Sequence, residues 1–334
     1  MSHPVLEVFP PSVHADLERL ETRLHEQAHS RDRRLQDWSR EPLDAGGKRV
    51  RPLLLLTTFE ACGGDLRGAE KRGQAVDAAV ALELVHTASL VHDDIMDEAA
   101  ERRGKPSTYA AHGRDGAILV GDYLFTQAFA LAATLPKQAM QMTADACRRL
   151  CEGQMREDEL RRSPLSLAPG SDPSAVQAAR AAYTAVIRDK TAAAIAASCG
   201  LGATMAGADD DLVQAMYRYG DCIGHAFQVL DDVLDVAGDP AWTGKPAGTD
   251  YLASTWSSPY LNFVERGGSL PSTRQRDDFP GIRARLFESG AVAASQLEAS
   301  TYTQAALLEL QMLQPSPARA ALEALAELLM ERAA

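Results

Sequence analysis

Residues 82–104 of the chain read LELVHTASLVHDDIMDEAAERRG, an apolar helical pattern that ends in three aspartates and two arginines. On a helix, Asp93 and Asp97 share one face and lie one turn apart, so their carboxylates come close together. Two anions at that distance repel each other unless a cation lies between them. The stretch is therefore either a solvated acidic helix end or one wall of a cation site.

A second aspartate cluster supports the cation site. Residues 227–236 read FQVLDDVLDV, and Asp231 and Asp235 repeat the one-turn spacing inside an apolar segment. Carboxylates on an apolar helix face are costly unless they are paired or bound to a metal. Mg²⁺ takes oxygen ligands, keeps much of its water and shares phosphate oxygens with the protein. Two such clusters predict a pocket that holds a diphosphate through several Mg²⁺ ions.

The whole chain reads as one all-α domain. Its 334 residues are 46% hydrophobic, which is enough for a large core. Nearly every segment has a helical apolar period, whereas strand alternation is almost absent. No low-complexity linker or solenoid repeat divides the chain, so we predict a single domain over 1–334, with 1–11 flexible. The predicted helices are 12–36, 48–62, 67–98, 114–134, 137–162, 174–204, 209–237, 252–267, 276–289, 291–313 and 316–333.

Charge and cysteine content narrow the class of function. A net charge of −12 argues against nucleic acid as a partner, because a phosphate-binding surface should be basic. Five cysteines without metal-site spacing indicate reduced thiols, and the N-terminus contains no apolar signal region. No run approaches the length of a transmembrane segment. We therefore predict a cytoplasmic protein.

A glycine- and proline-rich loop follows the second aspartate cluster directly. Residues 238–250 read GDPAWTGKPAGTD. Loops next to a chemical site often close over it and exclude water. This loop is the candidate active-site lid.

Two basic stretches offer cations to an anionic ligand. The first, GGKRVRP at residues 46–52, places Lys48, Arg49 and Arg51 at the start of an apolar helix. Cations at a helix N-terminus gain most when an anion binds between them and the free N–H groups. The second, Arg102 with Arg103, supplies two guanidinium groups that suit phosphate. A phosphate site and a basic turn against surface carboxylates are both compatible with the first stretch.

Taken in order, these motifs resemble those of the all-trans (E-type) polyprenyl diphosphate synthases over nearly the full chain. The matching stretches are GGKRxRP at 46–52, DDxxD at 93–97, RRG at 102–104, GDYL at 121–124, KT at 190–191, FQxxDDxxD at 227–235 and GKPxGxD at 244–250. The resemblance implies an isoprenoid synthase fold, a helical bundle of about 10–13 helices around a central cavity. It also implies a homodimer and about three Mg²⁺ ions per active site.

The resemblance also implies a role for each matching residue. The diphosphate of isopentenyl diphosphate would be held by Lys48, Arg51, His86 and Arg103. The Mg²⁺ ions on the allylic diphosphate would be held by Asp93, Asp97 and Asp231. Asp94, Asp232 and Asp235 would act through water or through those ligands. The allylic diphosphate would also contact Arg102, Lys190, Thr191, Gln228 and Lys245. The chemical step would depend most on Asp93, Asp97, Arg102, Lys190, Asp231 and Lys245.

The implied reaction joins an allylic diphosphate, farnesyl or geranylgeranyl, to successive isopentenyl diphosphates. Mg²⁺ and cationic side chains would stabilise the leaving diphosphate as its C–O bond breaks. The double bond of isopentenyl diphosphate would attack the allylic cation. The departed diphosphate is the expected proton acceptor, because no side chain is an obvious base.

Small residues before the first aspartate cluster predict a long product. The growing chain would run along this helix past Val85, Ala88 and Ser89, where short-chain relatives commonly place an aromatic floor. Phe125 or Phe129 could close the path deeper down, or they could be ordinary core residues. We predict a product of roughly C35 to C45 for a quinone side chain, released at a membrane surface.

Two alternatives and one departure accompany this prediction. A short-chain farnesyl or geranylgeranyl diphosphate synthase would fit if unrecognised bulky residues form a floor. A weakly active regulatory subunit would fit if a partner supplies turnover. A terpene cyclase would not need Lys48, Arg51 and His86. The family usually has a lysine five residues after the position of Asp250, whereas this chain has Thr255, so one positive contact to the allylic diphosphate is either missing or supplied from elsewhere, for example by Arg266 or Arg274.

Overall fold

The computed structural model describes residues 8–162, 172–238, 247–271 and 274–331, and these are almost entirely helical, as predicted. The helices of the described residues are α1 Pro11–Gln27, α2 Arg33–Asp44, α3 Val50–Ala61, α4 Ala69–Met96, α5 Thr108–Ala132, α6 Lys137–Arg162, α7 Pro173–Val186, α8 Ala193–Ala206, α9 Asp210–Ala237, α10 Ser258–Glu265, α11 Phe279–Glu288, α12 Ala291–Glu309 and α13 Pro317–Glu331. A π-helical turn, Ile187–Ala192, joins α7 to α8. Short 3₁₀ segments lie at Gly64–Arg67, Arg276–Asp278 and Leu310–Met312, and one helical turn lies at Thr249–Leu252.

The bounds of three predicted helices were wrong, and helix caps, a bend at a glycine and a π-helical turn account for the differences. The predicted helix 12–36 is two helices, because Asp32 accepts a hydrogen bond from the Leu35 N–H at 3.0 Å and starts α2. The predicted helix 114–134 begins earlier, where Ser107 accepts from the Ala110 N–H at 3.0 Å. It bends at Gly113, whose φ of 72° is left-handed. Helix 174–204 is interrupted by the π-helical turn.

The described chain contains one small sheet that the sequence did not predict. Glu101–Arg102 (β1) pairs antiparallel with Lys105–Pro106 (β2). The two residues between them, Arg103 and Gly104, both have positive φ, 54° and 74°. Positive φ at both central positions is the geometry of a tight two-residue hairpin. This hairpin fixes Arg102 and Arg103 directly after the first aspartate cluster.

Contacts divide the chain into two compact units. Unit 1 comprises Met1–Cys147, Ala197–Tyr217 and Met312–Leu322, and unit 2 comprises Arg148–Ala196, Arg218–Gln311 and Glu323–Ala334. In unit 1, α4 is mostly buried and packs chiefly against α5 and α3. In unit 2, an apolar cluster that includes Tyr251, Tyr260 and Phe263 packs beside the end of α9.

Helix α4, in contrast to the expectation from the sequence, is long and apolar enough, by length and composition alone, to cross a membrane. Its best window has a mean hydropathy of 1.2, and 78% of that window is buried inside the protein. A core helix of a folded domain has the same character. No other described helix passes this test.

Candidate active site

The first aspartate cluster separates into one buried and two accessible carboxylates. Asp94 is only 2% exposed and accepts hydrogen bonds from Arg102 Nε at 2.8 Å and Nη2 at 2.6 Å. Asp93 is half-buried and Asp97 is exposed. Asp97 also ends the helix, since its N–H donates to the Asp93 carbonyl at 2.9 Å. The hairpin arginine therefore neutralises Asp94, and Asp93 and Asp97 are the carboxylates within reach of a ligand.

The two arginines of the GGKRVRP motif have different surroundings. Arg49 is 9% exposed and donates to Glu21 at 2.7 Å, to Glu83 at 2.9 Å and to the Leu43 carbonyl at 3.1 Å. Its backbone is left-handed, with φ of 46°. Arg49 is thus an internal tie between α1, α2 and α4. The sequence grouped it with the phosphate-binding cations, but its guanidinium is fully engaged by protein acceptors.

Arg51 and Arg103 form a cationic cluster beside His86. Neither arginine forms an ion pair with a carboxylate of the described chain, although Glu83, which pairs with Arg49, lies near both. Burial lowers the pKa of Arg51, the nearby Glu83 carboxylate opposes this shift, and Arg103 adds to it. Burial, then Arg51 and Arg103, hold the pKa of His86 well below its usual value. The buried Arg51 Nε has no hydrogen-bond partner among these residues. Buried donors and charges without partners are costly, so this cluster favours binding of an anion.

A close contact with Gly47 places Arg103 beside the GGKRVRP motif. A Cβ atom on Gly47 would lie 2.8 Å from Arg103 Nη1, so a larger residue there would displace the guanidinium. The structure therefore brings together Arg51, His86 and Arg103, three of the four residues predicted for isopentenyl diphosphate. Lys48, the fourth, is three residues before Arg51 at the edge of α3.

Stability measurements should separate the roles of Arg49 and Arg51. Arg49→Met leaves the buried Glu83 carboxylate without its cation, so we expect a loss of about 3–5 kcal/mol in the free energy of unfolding. Arg51→Met removes a desolvated cation that Arg103 repels and that Glu83 attracts without an ion pair, so its loss of stability should be much smaller than that of Arg49→Met. Urea unfolding of both variants tests this. Equal losses would show that Arg51 is also a structural tie.

The second aspartate cluster, in unit 2, also contains both buried and accessible carboxylates. Asp232 is 5% exposed and accepts from the Tyr183 hydroxyl, from Gln228 Nε2 at 3.0 Å and from the Ser258 N–H at 3.2 Å. Asp235 accepts from the N–H groups of Thr249 and Asp250 at 3.0 and 3.1 Å. Asp231 is exposed. Asp232 and Asp235 thus organise the surrounding segments, and Asp231 is the accessible carboxylate.

Lys190, Thr191 and Gln228 meet beside Asp232. Lys190 forms an ion pair with Glu157, and Thr191 Oγ1 donates to Gln228 Oε1 at 2.9 Å. These residues line a cavity of about 310 Å³ together with Asp250. The sequence missed Glu157 because it lies in the charged run MREDELRR at 155–162, which reads as a solvated helix face. The sequence analysis did not identify Tyr183, because a single tyrosine is not part of any recognisable motif.

The charge balance of this cavity fits a divalent cation. Burial raises the pKa of Asp232 and of Asp250, and nearby carboxylates raise both further. Within the described residues, no group of three His, Cys, Asp or Glu side chains converges on one point. Mg²⁺ needs only one or two carboxylates when water and phosphate complete its coordination. The donor set is therefore suited to a metal that arrives with a diphosphate.

Two predicted features of this region lie partly outside the described residues. Lys245 falls within 239–246, as does most of the predicted lid 238–250, and these residues are outside the described part of the chain. The end of the segment is described: Gly248 donates its N–H to the Asp235 carbonyl at 2.8 Å. The second aspartate cluster therefore holds Gly248, near the end of the segment that the sequence predicts as a lid.

Thr255, which occupies the position where the family usually has a lysine, is exposed, and an arginine lies near it. Thr255 and Trp256 line the unit 2 cavity. The Arg274 guanidinium lies 4.9 Å from the centre of the Trp256 ring and 5.6 Å from that of Tyr251, which is cation–π geometry. Arg266 is exposed at the end of α10. Of the two arginines that the sequence offered as replacements, Arg274 is the one held against a cavity residue.

The residues predicted to set product length lie on the buried face of α4. Val85, Ala88 and Ser89 are all buried, and the Ser89 hydroxyl donates to the His86 carbonyl at 2.8 Å. On α5, the Phe125 ring lies 5.7 Å from the His92 ring, one turn after Ser89. Phe129 is 36% exposed. Phe125 is therefore the aromatic residue next to this face of α4.

A sequence model of the polyprenyl synthetase family matches residues 32–276. The chain belongs to the polyprenyl synthetase family. It is therefore a prenyltransferase, and isopentenyl and allylic diphosphates are the substrates of its family.

The chain is similar to family members whose names indicate products of different length. A short chain isoprenyl diphosphate synthase of Methanothermobacter thermautotrophicus is 34% identical, covering 87% of this chain and 88% of its own. A nonaprenyl diphosphate synthase of Mycobacterium tuberculosis is 32% identical, covering 97% and 95%. A polyprenyl synthase of Caulobacter crescentus, solved with calcium and isoprenyl diphosphate, is 30% identical with a TM-score of 0.84, covering 100% and 99%. The isoprenoid synthase fold is confirmed, and the likeness leaves product length to direct measurement.

Proposed function

We propose that this protein condenses an allylic diphosphate with successive isopentenyl diphosphates into an all-trans polyprenyl diphosphate of roughly C35 to C45, for a quinone side chain. The observation that supports this proposal most directly is that three kinds of functional group lie close together on helix α4. His86, Ala88 and Asp93 of α4 lie within eight residues and combine an anion-binding cluster, a buried small-residue face and an accessible carboxylate. Such a helix can hold a diphosphate at one end and a hydrocarbon chain along its length.

The cationic cluster supports a site for isopentenyl diphosphate. Lys48, Arg51, His86 and Arg103 would bind its diphosphate. Glu83, the carboxylate whose charge acts on Arg51 and Arg103, is already paired with Arg49, so an anionic diphosphate would improve the balance of charge. His86 would act as a neutral hydrogen-bonding group, since its pKa is held low. These residues bind and orient the acceptor substrate.

The aspartates support binding of the allylic diphosphate through Mg²⁺. Asp93, Asp97 and Asp231 are the accessible carboxylates of the two clusters, and we assign the ions, about three in number, to them. Bound Mg²⁺ would supply electrostatic stabilisation of the leaving diphosphate. Lys190, Thr191 and Gln228 would contact the same diphosphate, with Arg102 and Lys245. Asp94, Asp232 and Asp235 would hold these groups in place.

The chain's own groups then account for the chemical step. Preorganised cations stabilise the negative charge that develops on the leaving diphosphate. The alkene of isopentenyl diphosphate forms a bond to the allylic carbon, and a proton leaves the resulting cation. The departed diphosphate is the proposed proton acceptor. The lid segment 238–250 would exclude water from the cation.

The remaining parts of the proposal concern assembly, location and product release, and exposed side chains support the first of these. Exposed apolar side chains on α5, namely Ile118, Leu119 and Phe129, suit a homodimer interface. We propose a single working domain of 334 residues in the cytoplasm that releases its lipid product at a membrane surface. Nucleic acid is not a proposed partner.

Product sizing tests the function. The purified protein is incubated with Mg²⁺, farnesyl diphosphate and labelled isopentenyl diphosphate, and the dephosphorylated products are sized. We expect products of roughly C35 to C45. A product that stops at C15 or C20 would favour the short-chain alternative. Absence of turnover by the chain alone, restored by a second subunit, would instead support the regulatory alternative.

A further inference from the structure

The π-helical turn Ile187–Ala192 carries two of the proposed diphosphate contacts side by side. Lys190 and Thr191 follow each other within it, between α7 and α8. Single π turns inside helical segments are frequent at functional sites, because the extra residue per turn redirects the side chains that it carries. The position of this turn therefore decides where both groups point.

Two neighbouring helices touch the backbone of the turn through glycines. A Cβ atom on Gly153 of α6 would lie 2.6 Å from Lys190 N and 2.9 Å from the Asp189 carbonyl carbon. A Cβ atom on Gly224 of α9 would lie 2.5 Å from Ala192 Cα. Real Cβ atoms do not approach backbone atoms this closely, so any other residue would have to push the turn away.

Each glycine is followed, one helical turn later, by a residue that holds a side chain of the π turn. Glu157 follows Gly153 by four residues and pairs with Lys190. Gln228 follows Gly224 by four residues and accepts from Thr191 Oγ1 at 2.9 Å. Residues four apart lie on one helix face. We call Gly153, Glu157, Gly224 and Gln228 the glycine clamp.

The clamp is connected to the second aspartate cluster. Gln228 donates from Nε2 to Asp232 at 3.0 Å, and Asp232 also accepts from the Tyr183 hydroxyl at the end of α7. On the other side, Asp189 of the turn accepts from Arg149 at 3.1 Å and from Arg188 at 3.0 Å. The turn is thus held through its backbone and through three consecutive side chains.

We propose that Gly153 and Gly224 are positioning residues for the allylic diphosphate, which set Lys190 and Thr191 at binding distance by allowing direct backbone contact with the π turn. This inference rests on the proposed function. Simple packing glycines would affect only stability. Positioning glycines affect the allylic substrate selectively, because isopentenyl diphosphate is assigned to residues of unit 1.

Gly153→Ala tests the proposal against a matched control. Gly281→Ala is the control, because Gly281 is also helical, lies in the same unit, and has open space where a Cβ would be placed. Binding of farnesyl diphosphate with Mg²⁺, without isopentenyl diphosphate, is measured by calorimetry. We expect about 10²-fold weaker binding for Gly153→Ala, since a displacement of about 1 Å has effects of that size. Gly281→Ala should bind as the wild type does.

Steady-state kinetics and a second variant complete the test. For Gly153→Ala, KM for farnesyl diphosphate should rise while KM for isopentenyl diphosphate stays unchanged; equal changes in both would overturn the proposal. Ala192→Gly opens space against Gly224 instead of filling it, so it should fold and still weaken farnesyl diphosphate binding. Wild-type binding of farnesyl diphosphate by both variants would also overturn it. Absence of prenyl transfer by the wild type would count against the proposed function instead.

Discussion

Replacing Asp231 with asparagine should lower kcat by about 10²- to 10³-fold and leave the fold intact. Asp231 is the exposed carboxylate of the second cluster, and Asp232 and Asp235 are committed to protein donors. An amide has nearly the same shape but no charge, so it holds Mg²⁺ weakly. The effect should therefore appear in the chemical step and in the Mg²⁺ concentration needed for half-maximal activity, with an unchanged urea midpoint.

Asp211→Asn provides the matched control for Asp231→Asn. Asp211 is another exposed aspartate of α9, near the start of the same helix. Its replacement should leave kcat and the Mg²⁺ requirement at wild-type values. If Asp231→Asn also kept wild-type activity, Asp231 would have no role in binding the metal and the assignment of this cluster would be wrong.

Ala88→Phe should shorten the product to roughly C15 to C20. Ala88 lies five residues before Asp93, about 7.5 Å along the axis of α4, on a face where Val85 and Ser89 are also buried. A phenyl ring at this position would block a hydrocarbon chain that grows along the helix away from Asp93. The first condensations would proceed, and elongation would then stop. Thin-layer or mass analysis of the dephosphorylated products measures the change.

Two further variants make the product-length experiment decisive. Phe129→Ala removes an aromatic side chain that is 36% exposed, so it should leave product length unchanged. Ser89→Phe places the ring one residue later on the same face and should also shorten the product, which guards against misfolding of Ala88→Phe. Wild-type product length in a folded Ala88→Phe or Ser89→Phe enzyme would mean that the chain does not pass this face of α4.

Periodic local patterns explain why the fold class could be predicted. The apolar period of α4 and the aspartate spacing of both clusters depend on neighbours within one helix, so the sequence displays them directly. The π turn, the hairpin at residues 101–106 and the break before α2 depend on caps, backbone contacts and chain reversal. Pro42 lies inside α2, and a proline normally argues against a helix interior. These features could not be predicted from periodicity.

The candidate site was predictable to the extent that its residues form motifs. The sequence motif does not distinguish among the three aspartates of each cluster. In the structure, however, Asp94 and Asp232 are buried, whereas Asp93 and Asp231 are accessible. Partners such as Glu157 and Tyr183 come from other helices and have no local signature. Helix periodicity assigns a residue to a face, but only tertiary packing decides what that face meets.

The internal tie of Arg49 has a consequence for the order of assembly. Its acceptors, Glu21, Glu83 and the Leu43 carbonyl, come from three helices and lie 28, 34 and 6 residues from Arg49 in the sequence. The complete tie cannot form until all three helices have docked. Arg51 lies two residues after Arg49 on the same segment, so we expect the residues proposed for isopentenyl diphosphate to be ordered only in chains in which α1, α2 and α4 have already docked around Arg49.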